Sequence, residues 1–225
     1  MAYIPSGPDE ERFLKNFDPT KYRNPAVAAD TALFAVDDQG ISILLIRRGG
    51  YPYKGRWALP GGFVNIDEDV FDSAARELQE ETGLERTYFE QVFVWGRPDR
   101  DPRQRVITVS FAGLVDRSKM QAAAGDDAAE ADWFRLSDYK STQENGMTIT
   151  RYTLTGSETL YPIVTYPAGQ IQKITVVQNG GLAFDHPESI AYSFEYLRRR
   201  AGEGFLDLAF DEEQMKELAQ KALML

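Results

Sequence analysis

Three kinds of hydrophobic pattern run along the chain, and each predicts a different element. "TALFAV" and "ISILLIRR" are apolar, β-branched runs on either side of "DDQG", so residues 31–48 predict strand, turn and strand, a hairpin in a buried sheet. "GGYPYKGRWALPGG" is dense in Gly and Pro and predicts a loop. Val70, Phe71, Ala74, Ala75 and Leu78 then recur at helical spacing, with Gly83 as the stop. In "VITVSFAGLV", Ile107, Val109, Phe111 and Val115 fall at every second position of a half-buried strand, and "EADWFRL" predicts another short one. From 148 to about 178, "TITRYTLT", "YPIVTY" and "IQKITVVQ" predict a three-strand meander. Two amphipathic helices follow, near 187–200 and 210–223. Residues 1–25 are polar, with prolines and scattered aromatics, and predict an arm or short helix packed on the body. The expected organisation is an arm at 1–25, an α/β core with a mixed sheet at 26–140, a β-meander insertion at 141–180 and a helical extension at 181–225.

Composition narrows the chemistry. A chain of 225 residues, 43% hydrophobic, can bury a sizeable core. No apolar run reaches the length of a membrane span, and "MAYIPSGPDEERFLKNF" lacks a signal-peptide pattern, so a cytoplasmic protein is expected. With no cysteine and a single histidine, His186, any metal must be held by oxygen. The net charge of -10 argues against general affinity for nucleic acid, while clustered arginines leave room for small anionic ligands.

The helix carries an apparent fault. Within "RELQEETG", Glu77, Glu80 and Glu81 share one turn on a face distinct from the apolar stripe, near the helix C-terminus. They repel one another and meet the negative end of the helix dipole. A solvated acidic face is the ordinary explanation. A divalent cation reverses the sign: Mg²⁺ takes carboxylate oxygens, keeps several waters and is commonly shared with substrate phosphates.

Around this turn the spacing is Gly62, five residues, Glu68, seven residues, then Arg76-Glu77-Leu78-Gln79-Glu80-Glu81-Thr82-Gly83-Leu84. It resembles the Nudix box, the signature of hydrolases acting on nucleoside diphosphates linked to another moiety. With "RWALPGGFV", "QVFVWGRPDRDPRQRVITVSFAGLV" and "EADWFRL", the resemblance spans roughly residues 26–138. It implies a Nudix α/β/α sandwich, with Glu77, Glu80 and Glu81 as catalytic, metal-binding carboxylates for Mg²⁺, or Mn²⁺, and with Glu81 or Glu80 orienting the attacking water. Arg76 would pair with a glutamate to fix its rotamer, and Glu68 would support it. Gly61 and Gly62 would let backbone approach the phosphate or metal. The general base is not fixed by the box; Asp126, Asp127 and Glu130 are the candidates.

Substrate choice is expected to lie in "GRPDRDPRQR", where Arg97, Arg100, Arg103 and Arg105 form either a solvated turn or a phosphate and ribose clamp. Its similarity to a segment of ADP-ribose pyrophosphatases and of Nudix-related regulators favours the clamp, and Arg47 and Arg48 are placed to join it. Trp57, with Tyr51 or Tyr53, is a candidate for stacking on a base, core packing being the alternative for Trp57. "GGLAFDHPESIAYSFEYLRRR" resembles the segment that leads into a winged DNA-binding domain in those regulators. Fewer than forty residues follow His186, and residues 181–225 hold nine acids against five bases, so nucleic acid is not the expected partner. His186, beside Pro187, is expected to be a cap or turn residue, and the meander and tail are candidates for a homodimer interface. The expected reaction is hydrolysis of a nucleoside diphosphate derivative, ADP-ribose first, to AMP and ribose 5-phosphate. A non-hydrolytic ADP-ribose sensor is the alternative.

Overall fold

The computed structural model describes residues 3–21, 23–84, 88–120 and 128–224. One mixed sheet organises them. The strands β1 (Ala26–Asp37), β2 (Gly40–Arg48), β5 (Phe89–Trp95), β6 (Val106–Asp116), β7 (Ala128–Glu144), β8 (Met147–Thr155), β10 (Ile163–Pro167) and β11 (Thr175–Gln178) lie in the order β11-β10-β8-β7-β2-β1-β6-β5. Short strands β3 (Trp57–Ala58), β4 (Gly61–Phe63) and β9 (Thr159–Leu160) pair with β2, β1 and β8. Strand β1 runs parallel to β6, from Ala26 opposite Val106 to Val36 opposite Asp116, and antiparallel to β2 and β4.

Both faces of the sheet are covered, which explains the unbroken apolar runs of the hairpin. Leu33 and Ala35 point to one side, against Leu78 of helix α2 (Val70–Thr82). Ala32, Phe34 and Val36 point to the other, against α3 (His186–Ala201), α4 (Phe205–Ala209) and α5 (Glu213–Ala222). This is the expected α/β/α sandwich, and the extension holds three helices rather than two. Ring centroids of Phe194 lie 5.9 Å from Phe34 and 4.7 Å from Tyr139, so α3 is anchored through an aromatic cluster on the sheet.

Three expectations change. Strand β6 is not half-buried: Thr108 and Ser110 are enclosed, and every residue from Ser110 to Asp116 is buried, because β6 lies between β1 and β5 beneath helices on both faces. "EADWFRL" is part of a 17-residue strand that pairs with β2 in its first half and β8 in its second, carrying the meander onto the same sheet across position 140/141. Helix α1 (Pro8–Asn16) buries no residue, and Phe13, Leu14 and Phe17 are exposed; the Phe13 and Phe17 rings pair within the arm at 5.9 Å.

Truncating a ring that joins two layers leaves a cavity, so Phe194→Ala should cost about 3–5 kcal/mol in urea unfolding. Phe13→Ser, on the exposed arm, should change stability by no more than about 0.5 kcal/mol.

Candidate functional site

Helix α2 begins at Asp69, whose carboxylate accepts the Phe71 N–H at 2.9 Å, and stops at Gly83, left-handed at φ 71°. Its inner face is Ser73, Ala74, Leu78, Glu81 and Thr82, while Phe71 and Ala75 of the expected apolar stripe lie at the surface. The carboxylates therefore do not form a solvated face. Glu81 is buried, Glu77 keeps 15% side-chain exposure, and Glu80 alone is open at 59%.

Two features compensate this inward charge. Arg76 donates to Glu68 through Nε at 2.8 Å and Nη2 at 3.0 Å, and through Nη1 to Glu77 at 2.7 Å and Glu80 at 2.9 Å. One guanidinium thus gathers three glutamates and holds the Glu68 carboxyl down at about 2. The Gly61 N–H donates to Glu81 Oε2 at 2.8 Å, and a Cβ on Gly62 would collide with the Glu77 carboxylate. Glycine is required where strand backbone meets acid. Burial pushes Glu81 up to about 8 despite the Gly61 hydrogen bond, with Glu77 and Asp30 adding to the rise, and burial also raises Glu77.

In front of Gly61 and Gly62 lies a cleft lined by Asp30, Arg48, Phe63, Arg100, Asp101, Arg103, Thr108, Phe184 and His186, among others. Asp30 is pushed up to about 7 by burial and by Asp185 and Glu77, against the pull of Arg100 and Arg48. His186 is held down to about 4 by burial, and accepts the Leu59 N–H at Nδ1, 2.8 Å away. Its Nε2 is 3.8 Å from Asp30. The expected cap or turn residue is therefore a fully enclosed piece of the cleft wall.

The arginines divide. Arg48 and Arg103 line the cleft, Arg48 donating through Nε to the Pro52 carbonyl at 2.9 Å and Arg103 held by Asp101 at 2.7 and 3.0 Å. Arg100 also lines it, but is buried and fully engaged with Asp185 at 2.7 and 2.8 Å and with Thr108. Arg97 sits beside it, joined to Glu188 at 3.1 Å and Asp99 at 3.2 Å. Arg105 bonds to the carbonyls of Arg97 and Val106, and Arg47 lies over the Trp57 ring, near Glu130 at 3.4 Å; neither lines the cleft. Trp57 is 1% exposed, packs edge-on against Phe134 and donates to Glu158 at 2.6 Å, so it presents no ring to the cleft. Tyr51 is exposed, and Tyr53 meets Phe184. Of the base candidates, Glu130 pairs with Arg47, while Asp126 and Asp127 lie outside the described residues.

Sequence reasoning did not single out Asp30, Asp101, Thr108, Phe184, Asp185 or Glu188. A signal existed for one: Asp30 interrupts the apolar run of β1, whereas the alternation of Ile107, Val109 and Phe111 turned Thr108 to the opposite face of β6. Phe184, Asp185 and Glu188 depend on the path of the tail, because Asp185 and Glu188 reach the Arg97–Arg100 segment only through the docking of α3.

The donors fit a hard divalent cation in kind: buried, mutually repelling carboxylates beside glycine backbone, with no soft ligand nearby. They are not gathered about one point. Among the described residues no three acidic or histidine side chains form a ready metal cage, since Arg76 holds Glu80 and Glu77 and the Gly61 N–H holds Glu81.

The chain resembles known proteins over its core. Residues 25–153 match the NUDIX domain family. The chain is 42% identical over 129 residues to an ADP-ribose pyrophosphatase of Methanocaldococcus jannaschii, covering 56% of this chain and 73% of that protein. It is 41% identical over 129 residues to the ADPR responsive transcriptional repressor NtrR of Acinetobacter baylyi, covering 56% of this chain and 51% of the repressor, so it spans only about half of that relative. The NUDIX domain of Shewanella oneidensis NrtR, solved in complex with ADP ribose, superposes with a TM-score of 0.58 at 25% identity, covering 84% of this chain and 98% of that one. No helix among the described residues is long and apolar enough to cross a membrane.

Because the folded state keeps the Glu81 proton up to about 8 while the unfolded chain releases it near 4.5, the folded state binds more protons between those values. Without divalent cation, stability should therefore fall as pH rises from about 4.5 towards 8, with Glu81 contributing a slope of up to about 1.4 kcal/mol per pH unit. Urea titrations at pH 5, 6, 7 and 8 in chelator should show this decline, and Glu81→Gln should flatten it.

Proposed function

The chain belongs to the Nudix family, and from that premise we propose that it hydrolyses the pyrophosphate of a nucleoside diphosphate derivative, with ADP-ribose as the leading substrate and AMP and ribose 5-phosphate as products. Nudix hydrolases generally use divalent metal ions, and Mg²⁺, with Mn²⁺ as a substitute, is the ion proposed here. The observation that carries the reading is the pair of inward glutamates, Glu77 and Glu81, set against the Gly61–Gly62 backbone at one end of an arginine-lined cleft. Stable carboxylate burial of this kind calls for a positive partner, and a dianionic pyrophosphate calls for the same one.

Glu77, Glu80 and Glu81 would hold the cation. When bound, it supplies positive charge to the pyrophosphate oxygens and makes a water acidic enough to serve as nucleophile. The protein's own groups do the rest. Arg48 and Arg103 take the phosphates, for which a guanidinium fork is suited, and Arg76 keeps Glu77 and Glu80 oriented from behind. Water oxygen adds to one phosphorus, the bond from that phosphorus to the bridging oxygen breaks, and the bridging oxygen leaves on the other phosphate. Glu81, protonated at neutral pH on its own, becomes an acceptor for the water's proton once positive charge beside it lowers its pKa.

A second reading has its own support: the chain acts as an ADP-ribose sensor. Phe184 and His186 of the tail segment line the cleft, so a ligand there would touch the base of α3 directly, and one relative is an ADPR responsive repressor.

Steady-state assays with ADP-ribose and Mg²⁺ should show turnover, and Glu81→Gln should lower kcat at least about a hundredfold, a loss of about 2.7 kcal/mol of transition-state stabilisation. Turnover should cease in chelator and return with Mg²⁺. Tight ADP-ribose binding by the native protein without product would refute hydrolysis and leave the sensor.

A further inference from the structure

The cleft contains a flat group held between two aromatic rings. The Arg103 guanidinium lies over Phe63 at 4.9 Å and over Phe184 at 5.7 Å. Phe63 follows Gly61 and Gly62 in β4, whereas Phe184 belongs to the tail segment just before α3, so two distant segments each bring a ring to the same cleft and to the same guanidinium. Neither ring is enclosed: Phe63 is 39% exposed, and Phe184 is half-buried, with one part of it packed against the small cluster of Ile46, Ala58 and Ala183.

The tail ring is held with some care. Phe184 has φ 47°, and Tyr53, whose ring lies 4.6 Å away, has φ 62°. Left-handed backbone is unfavourable for bulky residues and persists where the surroundings enforce it, most often at ligand sites. The Asn179 amide donates to the Phe184 carbonyl, the His186 ring backs Phe184 at 5.5 Å and 28°, and Arg48 lies against it at 4.9 Å. Tyr53, His186 and Arg48 at the ring, and Asn179 at the carbonyl, therefore fix Phe184 at the edge of the cleft.

We propose that Phe63 and Phe184 form the slot for the planar base of the nucleotide, and that Arg103 occupies it in the ligand-free protein. A guanidinium is flat and delocalised, as a heteroaromatic base is, and a gap that accepts the one by stacking suits the other. When ligand arrives, a phosphate offers Arg103 a charge-assisted, bidentate partner in exchange for the Asp101 carboxylate and the two rings. The Arg103 side chain is 41% exposed, so it can swing towards solvent and the phosphate. The slot rests on the nucleotide reading above and adds to it the residues that read the base, one of them supplied by the C-terminal extension.

The test is saturation-transfer NMR of ADP-ribose with the native protein, Phe184→Leu and Phe63→Leu, together with calorimetric affinities and circular dichroism of each variant. Leucine retains apolar bulk and removes the π face, and Phe63, being exposed, can be changed without loss of fold should Phe184→Leu unfold. The expected result is that the adenine H2 and H8 protons receive the strongest transfer and shift upfield, that both effects fall relative to the ribose protons in either variant, and that affinity weakens about tenfold. Transfer dominated by ribose protons, or base signals indifferent to both folded variants, overturns the slot while leaving hydrolysis standing. Base-proton contact without turnover supports the slot and defeats hydrolysis. Absence of any ADP-ribose binding overturns both.

Discussion

The structure depends on a helix that points its acids inward. An ordinary amphipathic helix would turn Glu77 and Glu81 to solvent; α2 buries Glu81 and most of Glu77 beside Ala74 and Leu78, leaving Ala75 and the edge of Phe71 at the surface. Two unlike charges of the protein itself make this tolerable. Arg76, one residue before the acids, ties Glu68, Glu77 and Glu80 into one cluster, and the Gly61 N–H supplies a fixed dipole to Glu81. Neither removes the burial cost, as the raised Glu81 and Glu77 show. The remaining deficit of positive charge is what a cation and its phosphate ligand would exploit.

The helix can take this orientation only because the sheet brings Gly61 and Gly62 against it. Strand β4 pairs with β1 at Ala29 and Asp30, so the glycine backbone is set between the deepest strand of the sheet and the glutamates of α2. The same pairing puts Asp30 at the cleft floor, where burial holds its proton to about 7. Opposite stands the tail. Asp185 and Glu188 neutralise Arg100 and Arg97, and His186 takes the Leu59 N–H, so the start of α3 is hydrogen-bonded to two separate segments of the core. The C-terminal extension is thus part of the site wall, and not a body appended to it.

This arrangement separates the arginines of one short segment into different tasks. Arg100, enclosed and matched to a buried carboxylate, holds the tail in place; removal of either partner would strand a charge in the interior. Arg103, three residues on, also pairs with a buried carboxylate, Asp101, but its own side chain is 41% exposed at the cleft. Sequence spacing treats the four arginines alike, and burial distinguishes them.

The sequence by itself determined the elements whose signals are local. The hairpin of β1 and β2 follows from two apolar runs around a turn, the end of α2 from Gly83, and the acidic cluster from fixed spacing between Gly62 and Glu81. It could not determine which side of α2 is inward, because that depends on Arg76 folding back to Glu68 and on backbone from β4, both set by contacts across many residues. Nor could it set Trp57 inside the core, give Arg48 rather than Arg47 to the cleft, or bring Phe184 and Asp185 to residues some eighty positions earlier. Periodicity reports which residues prefer to leave water. Where two distant segments meet is decided by the burial of both sheet faces at once, and that is a property of the tertiary structure alone.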